Sequence, residues 1–254
     1  MMNQHDPGLL RHHGVEILYE DEHVIAVNKP ANLLVLPDRY NAALPFLSGI
    51  LTATKGKIFV VHRIDKETSG VMLFARSSEA HAALNHDFRK KLVRKTYLAL
   101  VRGTISAKKG KVDMPISPSR RVRGMMIVDR AGGKESRTDY AVLEEFSGFA
   151  LVEVKPETGR THQIRVHFSA LSLPIVADFV HGDGRPLLLS SFKPSYKTSG
   201  EERPLINRAA LHASSIVVKH PALRKRLEIS AELPKDMRAA VQALRKYSKH
   251  EKRG

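Results

Sequence analysis

The chain has 254 residues, 42 of them Lys or Arg and 26 Asp or Glu, for a formal net charge of +16 at pH 7. Hydrophobic residues make up 42%, enough for an ordinary core and too many for a disordered basic tail. The absence of Cys excludes thiol nucleophiles, disulfides, thiolate zinc sites and cysteine-ligated iron–sulfur clusters, and it fits a reducing, cytoplasmic setting.

No stretch approaches 18 uninterrupted apolar residues, so no membrane partner is expected. Residues 1–13 lack the apolar core of a signal peptide. The charge excess points to a polyanion partner. It is unevenly spread: residues 1–88 hold 8 basic and 10 acidic side chains, and all of the positive excess follows them. Arg89, Lys90, Lys91, Arg94 and Lys95 put five cations into seven residues, Arg120, Arg121 and Arg123 stand out in a second basic stretch, and the stretch from Lys219 holds eleven basic and four acidic residues. Segments of this kind are expected to line a phosphate-tracking surface, or else to be separate solvated faces.

In chain order, 16–19 and 23–28 read as short strands stopped by Lys29–Pro30. A short helix is expected within 44–51. Strands follow at 58–61 and 71–75, separated by a charged turn. Ser78 is read as the cap of a helix through about Arg89, with Ala80, Leu84 and Phe88 on one face. Residues 96–101 form a strand, 108–111 a basic turn, and 119–135 an exposed hairpin arm with 125–128 in its middle. Residues 136–144 and 149–154 are read as two further strands, an antiparallel pair. Thr161 is read as the cap of a helix over 162–171. A long loop with a small apolar element covers 181–210. Strands at 211–219 and 226–231 and a helix at 235–247 complete the pattern. Strands outnumber helices, which predicts an α+β fold with a mixed, mainly antiparallel sheet flanked by helices and loops. The expected organisation is an extension at 1–15, one catalytic domain at 16–247 and a disordered basic tail at 248–254.

The dinucleotide and phosphate-loop motifs G-x-G-x-x-G and G-x-x-x-x-G-K-[ST] are missing, so no cofactor is expected. Thirteen His suggest metal, but His81/His86 and His162/His167 are each five apart, a spacing that turns them off a common helix face; no metal site is expected. The strongest local feature is His62–Arg63–Ile64–Asp65–Lys66–Glu67–Thr68–Ser69–Gly70, a charged turn between two apolar strands. A carboxylate at a strand end is held rigidly, and Arg63 and Lys66 favour its ionised form. This suits a nucleophile or base; an ordinary solvated turn is the other reading. In Gly159–Arg160–Thr161–His162–Gln163–Ile164–Arg165, two Arg stand near a helix N-terminus, where cations are unfavourable. They ask for an anion, either a phosphate or a carboxylate such as Asp65. Tyr97, in Arg94–Lys95–Thr96–Tyr97, either packs in the core or stacks on a base.

Together H-R-x-D-x-x-T-S-G, K-x-Y and G-R-T-H-Q-I-R resemble the RluA-type RNA pseudouridine synthases. Val27–Asn28–Lys29–Pro30, Leu211–His212–Ala213 and His220–Pro221 agree with that resemblance in order and spacing, over roughly 16–235. It implies the pseudouridine synthase fold and isomerisation of uridine to pseudouridine in structured RNA, ribosomal or transfer. Asp65 would be the essential carboxylate and Arg165 its partner, and Tyr97 would stack on the uracil and take part in C5 proton removal. Arg63 would contact RNA around the flipped nucleotide, with His62, Thr68, Arg160 and His162 as further substrate contacts. Lys90, Lys91, Arg94, Lys95, Arg120, Arg121 and Arg123 would hold the RNA backbone. A C1′ ester, a glycal and a C6 adduct all remain open as routes. Many relatives carry a small RNA-binding domain in front, and the residues ahead of the first strand are too few for one. Ile64 replaces the usual Leu, and Phe179–Val180–His181–Gly182 stands where a Tyr–Gly turn is usual. A monomer is expected. A non-catalytic RNA-binding or ribosome-assembly protein on the same fold is the alternative, and a DNA-binding protein is the reading from charge alone.

Overall fold

The computed structural model describes residues 7–197 and 200–248. The elements are α1 (Pro7–His12), β1 (Glu16–Glu20), β2 (Val24–Lys29), α2 (Leu47–Lys55), β3 (Phe59–Val60), β4 (Ser69–Ala75), α3 (Ser78–Arg89), β5 (Arg94–Arg102), β6 (Lys109–Asp113), β7 (Ile116–Pro118), β8 (Met126–Val128), β9 (Arg137–Phe146), β10 (Phe149–Pro156), α4 (Gln163–Ala170), β11 (Leu211–Lys219), β12 (Arg226–Ser230) and α5 (Lys235–Tyr247), with a 3-10 turn at Leu189–Ser191. The chain divides into two compact units, one of Met1–Lys95 and Ala213–Glu232, the other of Thr96–His212 and Leu233–Gly254.

In the first unit the strand order is β1-β2-β4-β11, with β3 also on β4 and β12 on β11. β1–β2, β2–β4, β3–β4 and β11–β12 are antiparallel. Every residue of β4 is buried, as expected of a central strand covered on both faces. On one face Ala80 and Leu84 of α3 pack with Val24, Ala26, Val71 and Leu73. Each such Val or Leu contributes roughly 1.5–3 kcal/mol by leaving water. The α3 cap is Ser77, whose hydroxyl accepts from the Ala80 amide, one residue before the Ser78 expected. Pro7–His12 is helical although the sequence reads there as a bare extension; Leu10 is buried just ahead of Val15.

In the second unit the order is β5-β10-β9-β6, all antiparallel where they pair. Ile164 and Phe168 of α4 and Met237, Val241 and Leu244 of α5 bury against Leu100, Leu151 and Val152. The basic segment expected to be a turn at 108–111 is instead most of β6, an edge strand on β9. Only Val112 is buried there, so the lysines mask a strand whose hydrogen bonds come from its neighbour. The arm is a hairpin of β7 and β8 beginning earlier than expected, at Ile116, with its tip at 119–125. Ser119 fixes the tip by accepting from the Arg121 and Val122 amides. The expected helix cap Thr161 is also displaced: α4 starts at Gln163, behind His162 in a left-handed conformation (φ 53°) with no side-chain cap. The tail expected at 248–254 lies outside the described residues except for Ser248, which closes α5 and donates to the Ser147 carbonyl.

Candidate active site

The turn carrying Asp65 leaves β3 and returns as β4, and both of its ends are fixed. At the entry, His62 Nε2 accepts from the Leu73 amide at 3.0 Å, and its ring stacks on Phe88 at 5.1 Å. Burial, helped by the Lys95 cation, pushes the His62 pKa down to about 3, so the ring is neutral and free to accept. At the exit, Gly70 has φ +113°, and a Cβ there would lie 2.1 Å from the Ala213 carbonyl oxygen. Only glycine fits, because the β11 backbone passes where a side chain would stand. This explains two parts of the sequence pattern together, the final Gly of the charged turn and the Leu211–His212–Ala213 strand.

Inside the turn, the Thr68 amide donates to the Asp65 carbonyl at 3.1 Å. The Thr68 side chain is buried, and its hydroxyl has no hydrogen-bond partner among the described residues. The Asp65 carboxylate is half-buried and Arg63 is exposed. A third fixing point was not foreseen from sequence. Lys29 is fully buried, and its ammonium donates to the carbonyls of Pro30 (2.8 Å), Leu33 (2.8 Å) and Lys66 (2.9 Å). A charged donor on the carbonyl next to Asp65 holds the carboxylate's backbone in place. The sequence signal was Lys before Pro at a strand end, which does not reveal that the side chain points inward. Lys95, also in this unit, has its pKa lowered to about 8 by burial.

In the second unit, Gln163 organises the Arg160–Arg165 segment. Its Oε1 accepts from the Thr158 hydroxyl (2.7 Å) and the Arg160 amide (3.0 Å), and its Nε2 donates to the Arg137 carbonyl (2.9 Å) and to Thr138 Oγ1 (3.0 Å). The Thr138 hydroxyl meets His167 Nδ1 at 2.9 Å, and His167 Nε2 lies 2.9 Å from the Met114 carbonyl. Nε2–H donating to that carbonyl makes Nδ1 the acceptor from Thr138, a consistent chain. Burial lowers the His167 pKa, in keeping with a neutral ring. His162 Nδ1 lies 2.8 Å from Nε2 of the buried His181.

Arg165 is 3% exposed, and its Nε and Nη2 donate to the two oxygens of Asp178 at 2.8 and 2.6 Å. Asp178, 1% exposed, also accepts from the Val180 and His181 amides at 3.0 Å. Burial pushes its pKa up, but the Arg165 guanidinium and these amides outweigh it, and the carboxyl ends below its usual range. The anion that this Arg requires is therefore supplied at least in part by Asp178, a residue the sequence reading passed over. Nothing in Ala177–Asp178–Phe179 marks it, since its partner is on a different element.

Tyr97 is half-buried on β5, opposite Val154, and one side packs on the core of the second unit. Arg160 is exposed, with Nε donating to the Glu135 carbonyl at 3.1 Å. Arg120, Arg121 and Arg123 are exposed at the hairpin tip, and Lys90, Lys91 and Arg94 are exposed at the end of α3. The structure thus gathers His62, Arg63, Asp65 and Thr68 on one pinned turn, and Arg160, His162 and Arg165 on one hydrogen-bonded segment.

The family model described as RNA pseudouridylate synthase matches residues 23–170, which include Asp65, Tyr97 and Arg165. The chain belongs to the RluA-type RNA pseudouridine synthases. It is 37% identical over 239 residues to the ribosomal large subunit pseudouridine synthase D of Xanthomonas campestris, covering 92% of this chain and 70% of that one. It is 35% identical to an RNA pseudouridine synthase of Bacillus subtilis over 91% of this chain and 73% of the other. Among solved structures it resembles human RNA pseudouridylate synthase domain containing 4, with a TM-score of 0.69 and 27% identity over 94% of both chains. The synthase is an enzyme that acts on RNA, and its mixed, mainly antiparallel sheet with flanking helices is the fold that the motifs implied. No helix among the described residues is long and apolar enough to cross a membrane.

Proposed function

We propose that this synthase isomerises uridine in large-subunit ribosomal RNA, with Asp65 as the reacting carboxylate. The observation that carries the assignment to Asp65 is the three-point fixation of its turn by the His62–Leu73 bond, the Lys29 ammonium and the close approach at Gly70. Such fixation is what a group must have to act on a single atom of a large substrate. The ribosomal assignment rests on relatives, several of which are named ribosomal large subunit pseudouridine synthase D. Transfer RNA is the competing substrate.

In the reaction the N1–C1′ bond of the nucleotide breaks, the uracil turns, and C5 bonds to C1′. The C5 proton is lost to solvent through a base, and N1 gains one, so atoms balance without an oxidant or a group donor. Asp65 promotes the cleavage. Tyr97 stacks on the uracil and takes part in the C5 proton transfer. Arg165, held by Asp178, supplies positive charge to the reacting carboxylate. Arg63, Thr68, Arg160 and His162 contact the flipped nucleotide, whose extrusion costs a few kcal/mol that backbone contacts offset. His62 acts chiefly by holding the turn.

The test is tritium release from ribosomal RNA labelled at uridine C5. Wild type should release tritium, and Asp65→Asn should lose at least three orders of magnitude while melting normally. Release by Asp65→Asn at the wild-type rate would overturn the assignment. No release by wild type from ribosomal or transfer RNA would favour a non-catalytic RNA-binding role. Pseudouridine mapping in a deletion strain would separate the two RNA classes.

A further inference from the structure

The first unit carries a second basic feature, built on elements that the Asp65 turn does not use. The β11–β12 hairpin turns through His220–Lys225. His220 is 2% exposed; its Nε2 lies 2.7 Å from Asp21 Oδ2, and its Nδ1 accepts from the Ala222 and Leu223 amides at 3.3 and 3.0 Å. Asp21 is itself held by the Tyr19 hydroxyl at 2.7 Å and by the His23 and Val24 amides at 2.8 Å. The Arg224 amide donates to the His220 carbonyl, and the His220 amide to the Lys225 carbonyl. The turn is therefore a rigid mount, and its outward side chains are Arg224, Lys225 and Arg226, all exposed.

Facing it is the end of α3. Leu92 donates to the Asp87 carbonyl at 3.0 Å and Lys91 to that of Phe88 at 3.2 Å, with Lys91 left-handed at φ 57°. This is a Schellman closure with Lys where Gly is preferred. Arg224 is left-handed as well, also at φ 57°. Both turns thus carry a cation at a backbone position that disfavours any side chain. Between them lies a shallow depression of about 300 Å³, with Leu92 and Val217 among its aliphatic residues and Arg94, Lys219, Arg224 and Arg226 as its cations. Among the described residues no acidic or aromatic side chain lines it; Glu228 pairs with Arg226 from beside it. Four cations over an aliphatic floor fit a run of phosphates and sugars. The lack of an aromatic platform or an enclosing wall does not fit a bound base.

We propose that this depression is a docking site for the phosphodiester backbone of the RNA substrate, formed by the α3–β5 turn and the β11–β12 hairpin. Both banks fall in basic stretches of the sequence, Arg89–Lys95 and the stretch from Lys219; what folding adds is their juxtaposition around one depression. The proposal rests on RNA being the substrate and is independent of which residue carries the chemistry. Phosphate contacts release counterions, so each one lost should flatten the plot of log affinity against log salt by about 0.7–0.9.

The experiment measures binding of a ribosomal RNA transcript between 50 and 200 mM salt, with Lys219→Gln/Arg224→Gln/Arg226→Gln combined, beside Arg224→Gly alone. Glycine relieves the left-handed backbone while removing the charge, so that variant should melt no lower than wild type. The triple variant should bind about a hundredfold more weakly near 0.1 M salt, with the slope reduced by roughly 2 to 3; Arg224→Gly should reduce it by about 1. Unchanged affinity and slope in both variants would make the depression an ordinary solvated surface and sink the proposal. Wild-type tritium release, measured in parallel, shows whether such a failure touches the enzyme assignment as well.

Discussion

Replacing Asp178 by Asn tests the electrostatic account of the second unit most directly. The substitution keeps shape and an oxygen for the Val180 and His181 amides but removes the charge facing Arg165. Two charge-assisted bonds, at 2.8 and 2.6 Å, are at stake between groups 3% and 1% exposed. At roughly 1.5–3 kcal/mol each they suggest about 3–6 kcal/mol. Removing one partner of a buried pair typically costs about 3–5 kcal/mol, because the other charge stays buried. With a urea dependence of about 3 kcal/mol per M, the midpoint should fall by about 1–1.7 M at pH 7. The pH dependence has a definite sign. The folded-state pKa of Asp178 is lowered, so its contribution is complete above the usual carboxylate range and is lost as pH falls through the folded value. The wild-type advantage over Asp178→Asn should therefore shrink in acid. Tritium release should also fall, because Arg165 would be free to reorient. A midpoint shift corresponding to less than about 1 kcal/mol at pH 7, or a gap that widens in acid, would refute the reasoning.

Gly70→Ala should cost about 2–6 kcal/mol, combining backbone strain with the clash on Ala213, and thermal melting would show it. Lys29→Met should lose roughly 3–5 kcal/mol, since three carbonyls lose a buried donor, and differential scanning calorimetry would measure it. His62 should make the fold less stable as pH falls from about 6.5 toward 3, because its folded pKa is depressed to about 3. In His62→Phe that slope should be shallower by about 1.4 kcal/mol per pH unit, read from denaturation at several pH values. Reversing charge at Arg120, Arg121 and Arg123 should weaken RNA binding in a filter assay while leaving the melting temperature within a few degrees, because the tip is exposed and closed by Ser119.

Much of this protein was legible in one dimension. The periodicities placed β2, β4, α3, β9, β10, β11 and α5 within a residue or two, because each has a clean apolar pattern and a stop signal at its end. The charged turn, the Gly-Arg-Thr-His segment and the basic Tyr strand were visible because chemistry of this kind needs fixed residue types at fixed spacing. Local sequence failed where the partner was remote. β6 read as a turn because its lysines hide a strand that exists only by pairing with β9. Thr161 looked like a cap, yet α4 starts behind a left-handed His162. In the same way nothing local reveals what the side chains of Lys29, Asp178 and His220 bind. Each becomes a structural pin only when folding brings it against carbonyls, a guanidinium or a carboxylate from another part of the chain. The amino-acid sequence by itself pointed to a polyanion partner through its charge, and to the reaction class through the family resemblance that its motifs carry. Tertiary structure alone decided how the Asp65 turn is held and that the basic stretches at Arg94 and at Lys219–Arg226 meet around one depression, because both depend on desolvation and on contacts between segments far apart in sequence.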